Sequence, residues 1–378
     1  MLKLYFSILI LVFLVVNPVR MVRAAEEYGE DFIRGADISM LGEIEKQGGT
    51  YYNREGEECD LLKILREHGI NYIRLRLWKD PGDRGGGNND LEQTLALAER
   101  VKEHDLKLLL DFHYSDWWAD PETQDKPAVW EDLDYPELKE EVYQYTKEVI
   151  TEFKSRNLLP DMVQIGNEIR SGILWPEGKT WGPEAGGFDR LAELLKMGIK
   201  GVQDSLDQGE DIEIMLHTDQ GGSISDTRWL FDQILARDVE FDIIGLSFYP
   251  YWHGTVEDLK NNMQDIVKRY EKDVVVAEFS YAWTLEKLDN HKAIFGPEQE
   301  REGGYSATRK GQIKAIKDVK QVVANIPRGR GRGVFYWEPA WIPVDGAGWK
   351  KGEGSSWANQ TLFDFDGYPL DSLEVFGQ

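Results

Sequence analysis

The feature that most constrains this chain is a regular alternation. Short apolar runs, each bounded by turn residues, are followed by longer stretches with helical spacing through eight rounds. The runs fall at residues 32–38, 71–78, 107–112, 163–168, 213–216, 242–248, 274–278 and 333–337. Helical spacing falls at 60–68, 91–104, 137–153, 189–204, 227–236, 256–270 and 310–325. Strands separated by helices form parallel sheets, because each crossover lays a helix over the strands it joins. Open sheets of this kind usually stop at about five or six strands, so eight rounds predict a closed (β/α)8 barrel. No repeat, low-complexity tract or linker interrupts the alternation. One barrel domain over residues 25–378 is therefore expected, after a separate N-terminal segment.

That segment has the form of a secretory signal. Lys3 precedes an apolar run at 4–16, and Ala24-Ala25 offers small residues for cleavage. Thirteen residues are short for a spanning helix, which needs about 20. Residues 1–24 are read as a signal peptide, and the mature chain as secreted or periplasmic without stable membrane insertion. The single cysteine, Cys59, excludes an intramolecular disulfide.

The second run alternates strictly: Asn71-Tyr72-Ile73-Arg74-Leu75-Arg76-Leu77-Trp78. A period of two puts Arg74 and Arg76 on one face and Ile73, Leu75 and Leu77 on the other. In a barrel the arginines then point into the lumen. Two other runs end in carboxylates: Val163-Gln164-Ile165-Gly166-Asn167-Glu168, and Val274-Val275-Val276-Ala277-Glu278. Glutamate is a poor strand former, and the C-terminal strand ends are where barrels carry their chemistry. Strands four and seven lie roughly opposite, so the two side chains can meet above the lumen.

Paired carboxyl groups cleave glycosidic bonds. Retention of configuration needs one as acid/base and one as nucleophile, about 5–5.5 Å apart. The acid must hold its proton and the nucleophile must ionise beside a cation. Glu168 and Glu278 are the candidates, with Arg74 as the cation, unless Arg74 and Arg76 simply pair with carboxylates in the barrel. Asn167 is placed to hold a substrate hydroxyl and Trp337 to floor a sugar site. His113 is read either as a site residue or as a satisfied barrel histidine. Thirteen tryptophans are many for this length, and several fall in loops. Trp175, Trp252 and Trp341 are read as sugar platforms or loop anchors.

A net charge of -24 repels phosphate backbones and argues against nucleic acid as a partner. No HExxH, CxxC, GxSxG or P-loop pattern occurs. The cluster Asp289-Asn290-His291 offers too few oxygens for a calcium site, which takes about six to eight.

Several segments together resemble glycoside hydrolase family 53, the arabinogalactan endo-β-1,4-galactanases. They are Arg34-Gly35-Ala36-Asp37-Ile38-Ser39, the strand 71–78, Asp111-Phe112-His113-Tyr114-Ser115-Asp116 and Ile165-Gly166-Asn167-Glu168-Ile169. Further along come Ser247-Phe248-Tyr249-Pro250-Tyr251-Trp252, Val276-Ala277-Glu278 and Phe335-Tyr336-Trp337-Glu338-Pro339-Ala340-Trp341-Ile342. The resemblance implies Glu168 as acid/base and Glu278 as nucleophile, with Arg74, His113, Asn167, Tyr249 and Trp337 around the sugar. Asp37, Trp175 and Trp341 complete the expected substrate-binding set. It further implies action on internal bonds of β-1,4-galactan, with no required cofactor, and a monomer is expected. Some bacterial members carry a structural calcium after strand seven, and Leu285-Glu286-Lys287-Leu288-Asp289-Asn290-His291-Lys292 departs from that loop. Two other readings stay open here: a related barrel cutting another neutral β-linked polysaccharide, and an inactive carbohydrate-binding barrel.

Overall fold

Eight parallel strands close on themselves in chain order. They are β1 (Ile33–Asp37), β2 (Tyr72–Leu77), β3 (Lys107–Phe112), β4 (Met162–Ile165), β5 (Glu213–Thr218), β6 (Ile243–Ser247), β7 (Asp273–Phe279) and β8 (Gly331–Trp337). β8 pairs back onto β1, with Ile33 opposite Gly333 and Asp37 opposite Trp337. This is the expected (β/α)8 barrel. The computed structural model describes residues 28–378 apart from Glu30, Lys287, Asp289 and Asn290. The expected signal peptide at 1–24 lies outside the described residues, as do Asp289 and Asn290 of the loop cluster.

The crossover helices begin where local chemistry starts them. The helix Tyr135–Ser155 opens on a capping box, in which the Asp134 side chain accepts from Glu137 N–H and Glu137 reaches back. Its buried stripe is Leu138, Val142, Tyr145, Val149 and Phe153, spaced to face the barrel. The helix Val256–Tyr270 opens the same way, on Thr255 and Asp258. No helix among the described residues is long and apolar enough to cross a membrane.

The lumen is filled in layers, as parity dictates. Ile33, Tyr72, Leu109, Met162, Met215, Ile243, Val275, Ala277 and Phe335 form an apolar plug, with two residues from β7 and one from every other strand. Each such burial, Ala277 apart, contributes about 1.5–3 kcal/mol. Room for Phe335 comes from Gly35, where a Cβ would stand 2.1 Å from the ring. Above the plug the inward residues turn polar: Arg74, Asp111, Gln164 and His217, all fully buried. Ile73, Leu75 and Leu77 face the helices instead.

Three short helices carry no periodic signal in the sequence: Leu41–Lys46, Pro297–Gly303 and Asp371–Gly377, of six or seven residues each. A small antiparallel pair, Gly172–Ile173 with Gly178–Lys179, also rises from the loop after β4.

Candidate active site

Two irregularities at strand ends build the site. In β7, Val275 and Ala277 point inward and Val274 and Val276 outward, so strict alternation would send Glu278 out among the helices. The pairing with β6 slips between Leu246–Val276 and Ser247–Glu278, and the pairing with β8 slips beside it. This bulge inserts a residue and turns Glu278 into the lumen. At the end of β4, Gly166 has φ +80°, and a Cβ there would lie 2.6 Å from Ile169. Glu168 itself sits in the left-handed region at φ 47°, ψ 52°, a conformation a non-glycine residue holds only when its surroundings impose it. The two turns aim Asn167 and Glu168 over the barrel mouth.

Both glutamates line one open cavity of about 1110 Å³. Its walls are the loops after β3, β4 and β6, the end of β8 and the C-terminal loop. They carry Trp117 and Trp118, then Trp175 and Trp181, then Trp252, then Trp337, Trp349 and Trp357. Trp181 is 57% exposed and Trp252 50% exposed, although burial is the usual state of so large an apolar side chain. Trp337 and Trp349 stack at 5.7 Å with 18° between planes.

Glu278 is held by two opposite kinds of donor. Arg74 Nη1 lies 2.9 Å from its Oε1, and the Tyr249 hydroxyl donates to Oε2 at 2.9 Å. Arg74 spends its other donors on Asp37 (2.8 Å), Asp111 (2.8 Å) and Asn167 Oδ1 (2.9 Å). It is therefore both a structural clamp and the cation beside Glu278, and the two readings left open by the sequence both hold. Arg76 turns instead to Glu338, at 2.7 Å, and lies 4.3 Å over the Trp118 ring.

Glu168 has a different shell. Its Oε1 accepts from Ser247 Oγ at 2.6 Å. Burial, the nearby Glu278 charge and Asp219 push its pKa well above the carboxylate range. Glu278 is also raised, by burial with Asp37 and Asp111, against the downward pull of Arg74 and the Tyr249 hydroxyl. Only Glu278 of the pair touches a cation, so it is the first of the two to ionise. Burial drives Glu338 up to about 8 against the pull of Arg76. Arg74 and Arg76 thus face Asp37, Asp111, Glu278 and Glu338, an excess of carboxyls that favours retained protons.

Among the other expected positions, His113, Asn167, Trp175, Tyr249 and Trp337 all line the cavity. His113 Nδ1 accepts from Trp78 Nε1 (3.1 Å) and Ala119 N (3.2 Å), which leaves Nε2–H to donate to Asp111 at 3.1 Å. Two expected positions do not reach it. Asp37 is fully buried, accepting from Arg74 and from the Ser39 hydroxyl (2.6 Å), and supports the arginine from below. Trp341 is fully buried behind Trp337, its indole N–H on Ala347 O, and is packing rather than platform. The sequence reading also misses Trp181, Trp349, Trp357 and the bidentate Arg170–Asp219 pair at 2.8 Å. The tryptophan count is the one signal that pointed to the first three. His291, the described member of the loop cluster, contacts Ser355 O at 3.2 Å and lies 3.6 Å from Asp345. Among the described residues no group of three or more His, Cys, Asp or Glu is placed to hold a metal.

Residues 33–376 match the family model for glycosyl hydrolase family 53. An endo-beta-1,4-galactanase of Bacillus subtilis (strain 168) is 34% identical over 94% of this chain and 87% of its own length. The Ignisphaera aggregans GH53 catalytic domain superposes with a TM-score of 0.88 at 45% identity, covering 93% of this chain and 97% of that one. A structure from a pair of fungal beta-1,4-galactanases gives 0.79 at 33% identity, covering 92% and 99%. By family model, sequence and fold alike, this chain belongs to glycosyl hydrolase family 53 and is a glycoside hydrolase.

Proposed function

We propose that this protein is an exported endo-β-1,4-galactanase that works by double displacement with retention, with Glu168 as acid/base and Glu278 as nucleophile. One observation carries the assignment of roles: the two glutamates share a cavity but not an environment. Glu278 meets a guanidinium and a phenol hydroxyl, which suits a carboxylate that must attack. Glu168 meets an uncharged hydroxyl and other carboxyls, which suits a carboxyl that must arrive protonated. Glu168 gives its proton to the leaving-group oxygen as Glu278 attacks the anomeric carbon. It then takes a proton from the water that hydrolyses the glycosyl ester. The oxocarbenium-like transition state forms against the ionised Glu278, whose charge stabilises it.

Galactan is proposed from the family and from the names of the relatives, and the tryptophan arrangement supports it. The axial C4 hydroxyl of galactose makes a β-1,4 chain coil rather than lie flat. Platforms spread over four loops suit a coiled chain better than a straight row would.

Two variants test the roles. Glu278→Ala should lose turnover, and azide should restore slow cleavage with inverted configuration. Glu168→Ala should spare substrates with activated leaving groups far more than polymer, because those need no protonation. Equal losses on both substrate types in both variants would overturn the assignment. For the substrate, galactan should lose viscosity quickly and yield short oligomers with little early monomer. Preference for mannan or xylan would refute the galactanase reading, and monomer release from the outset would replace endo with exo action.

A further inference from the structure

Behind Glu168 lies a chain of hydrogen bonds whose protons can be placed, and two of its members, Ser247 and His217, stand outside the cavity lining. Arg74 Nη2 donates to Asn167 Oδ1 at 2.9 Å, while Asn167 Nδ2 donates to Ala119 O at 2.9 Å. An arginine can only donate, so the Asn167 amide cannot be flipped. His217 Nδ1 lies 2.9 Å from that same Oδ1 and 3.2 Å from Gln164 Nε2. The two hydrogens of Gln164 Nε2 serve the nearer Asp111 Oδ1 (2.6 Å) and Gly166 O (3.0 Å), so Nδ1 carries a proton and bonds Asn167 Oδ1. Full burial and the Arg74 charge keep His217 neutral, with its pKa well below the usual value. Its Nε2 is therefore bare, and it faces Ser247 Oγ at 3.0 Å. Ser247 is fully buried and has one hydroxyl hydrogen, with two acceptors to serve: His217 Nε2, and Glu168 Oε1 at 2.6 Å.

We infer that Ser247 and His217 are positioning residues that form a two-state hydroxyl switch tracking the protonation of Glu168. With Glu168 neutral, its O–H donates to Ser247 Oγ and the Ser247 hydrogen points at Nε2. Once Glu168 has passed its proton to the leaving-group oxygen, the Ser247 hydrogen swings to Oε1. The Ser247 hydrogen never leaves its oxygen, and Glu168 recovers one proton from water per cycle. Each form of the free carboxyl thus keeps a partner on Ser247, and turning the carboxyl delivers its O–H to the bound glycosidic oxygen; the neutral histidine is what allows the neutral form its partner. Glu278, Asp219, Asp120 and Arg170 also act on Glu168, and Arg74, Asp111, His113 and His253 on His217. All of these are unchanged in the variants that follow.

The inference rests on Glu168 being the acid/base, and the alkaline limb of kcat/KM then reports its pKa in the free enzyme. S247A removes the donor to the ionised form and should move that limb up by about 1 pH unit, the size expected for a charge-assisted bond. H217L leaves the ionised form its donor but deprives the neutral form of its relay, and should move the limb down by about half a unit. H217Q, whose Oε1 can again accept from Ser247, should return it toward wild type. In an S247A background, H217L should add no further shift. A merely structural role predicts lower rates with an unmoved limb. Shifts of the same sign, or an unmoved limb in folded S247A, would overturn the switch. If H217L does not fold, S247A and H217Q decide the matter. The underlying assignment fails separately: it falls if E168A retains the alkaline limb, whatever Ser247 and His217 do.

Discussion

Replacing Arg74 by lysine keeps the charge and removes the fork, which isolates what the guanidinium geometry does. Arg74 reaches Asp37, Asp111, Asn167 and Glu278 at 2.8–2.9 Å in the wild type. A lysine amine is a point donor on a differently shaped stem and cannot satisfy all four. A hydrogen bond to a charged group is worth about 1.5–3 kcal/mol. Weakening the Arg74–Glu278 ion pair by a similar amount should therefore lower kcat/KM by about 10- to 150-fold, at 1.36 kcal/mol per decade. The pH dependence supplies a sign. Arg74 lowers the Glu278 pKa, and Glu278 must be ionised to attack. A weaker contact raises that pKa, so the acidic limb of kcat/KM should move to higher pH. The assay is hydrolysis of an aryl β-galactobioside across pH, below the melting temperature found by circular dichroism. A rate within twofold of wild type with the acidic limb unmoved would refute the reasoning and leave Arg74 a purely structural clamp.

Tyr249→Phe removes the other donor to Glu278 and should cost about 10- to 150-fold in kcat/KM, again with the acidic limb moved up; unchanged kinetics would count against the contact. Trp252→Ala should raise KM for galactan several-fold and leave the melting temperature nearly unmoved, since the ring is half exposed in the cavity wall. Trp341→Ala should do the reverse, lowering stability by about 3–5 kcal/mol in a denaturant titration, because the ring is fully buried. Gly35→Ala should destabilise by about 1–3 kcal/mol, as its methyl would enter the Phe335 ring; an unchanged unfolding midpoint would show that the plug can relax.

What was legible in the sequence was whatever obeys a period. The eight strands, the seven helices between them, the inward arginines and the outward leucines of β2 all follow from spacings of two and 3.6. The identity of the two glutamates was legible too, because each interrupts an apolar run. How Glu278 comes to face inward was not, since alternation along Val274–Ala277 sends it outward and only the bulge reverses it. Trp341 looked like a loop platform because it follows the last strand, yet the C-terminal loop folds back and buries it. Trp349 and Trp357 reach the cavity from that same loop, where no period exists to place them. Ser247 sits in the sequence as an ordinary strand residue, and His217 just past the run 213–216. Their shared geometry with Glu168 exists only once β4, β5 and β6 lie side by side.

The most direct test of the central claim is to trap the covalent intermediate. An activated 2-deoxy-2-fluoro-β-galactobioside forms the glycosyl-enzyme faster than water can clear it, and peptide mass spectrometry then locates the sugar. The account predicts a single adduct on Glu278, formed in the wild type and absent in Glu278→Ala. An adduct on Glu168 or on any other residue would contradict it, as would an α-configured first product from the natural substrate.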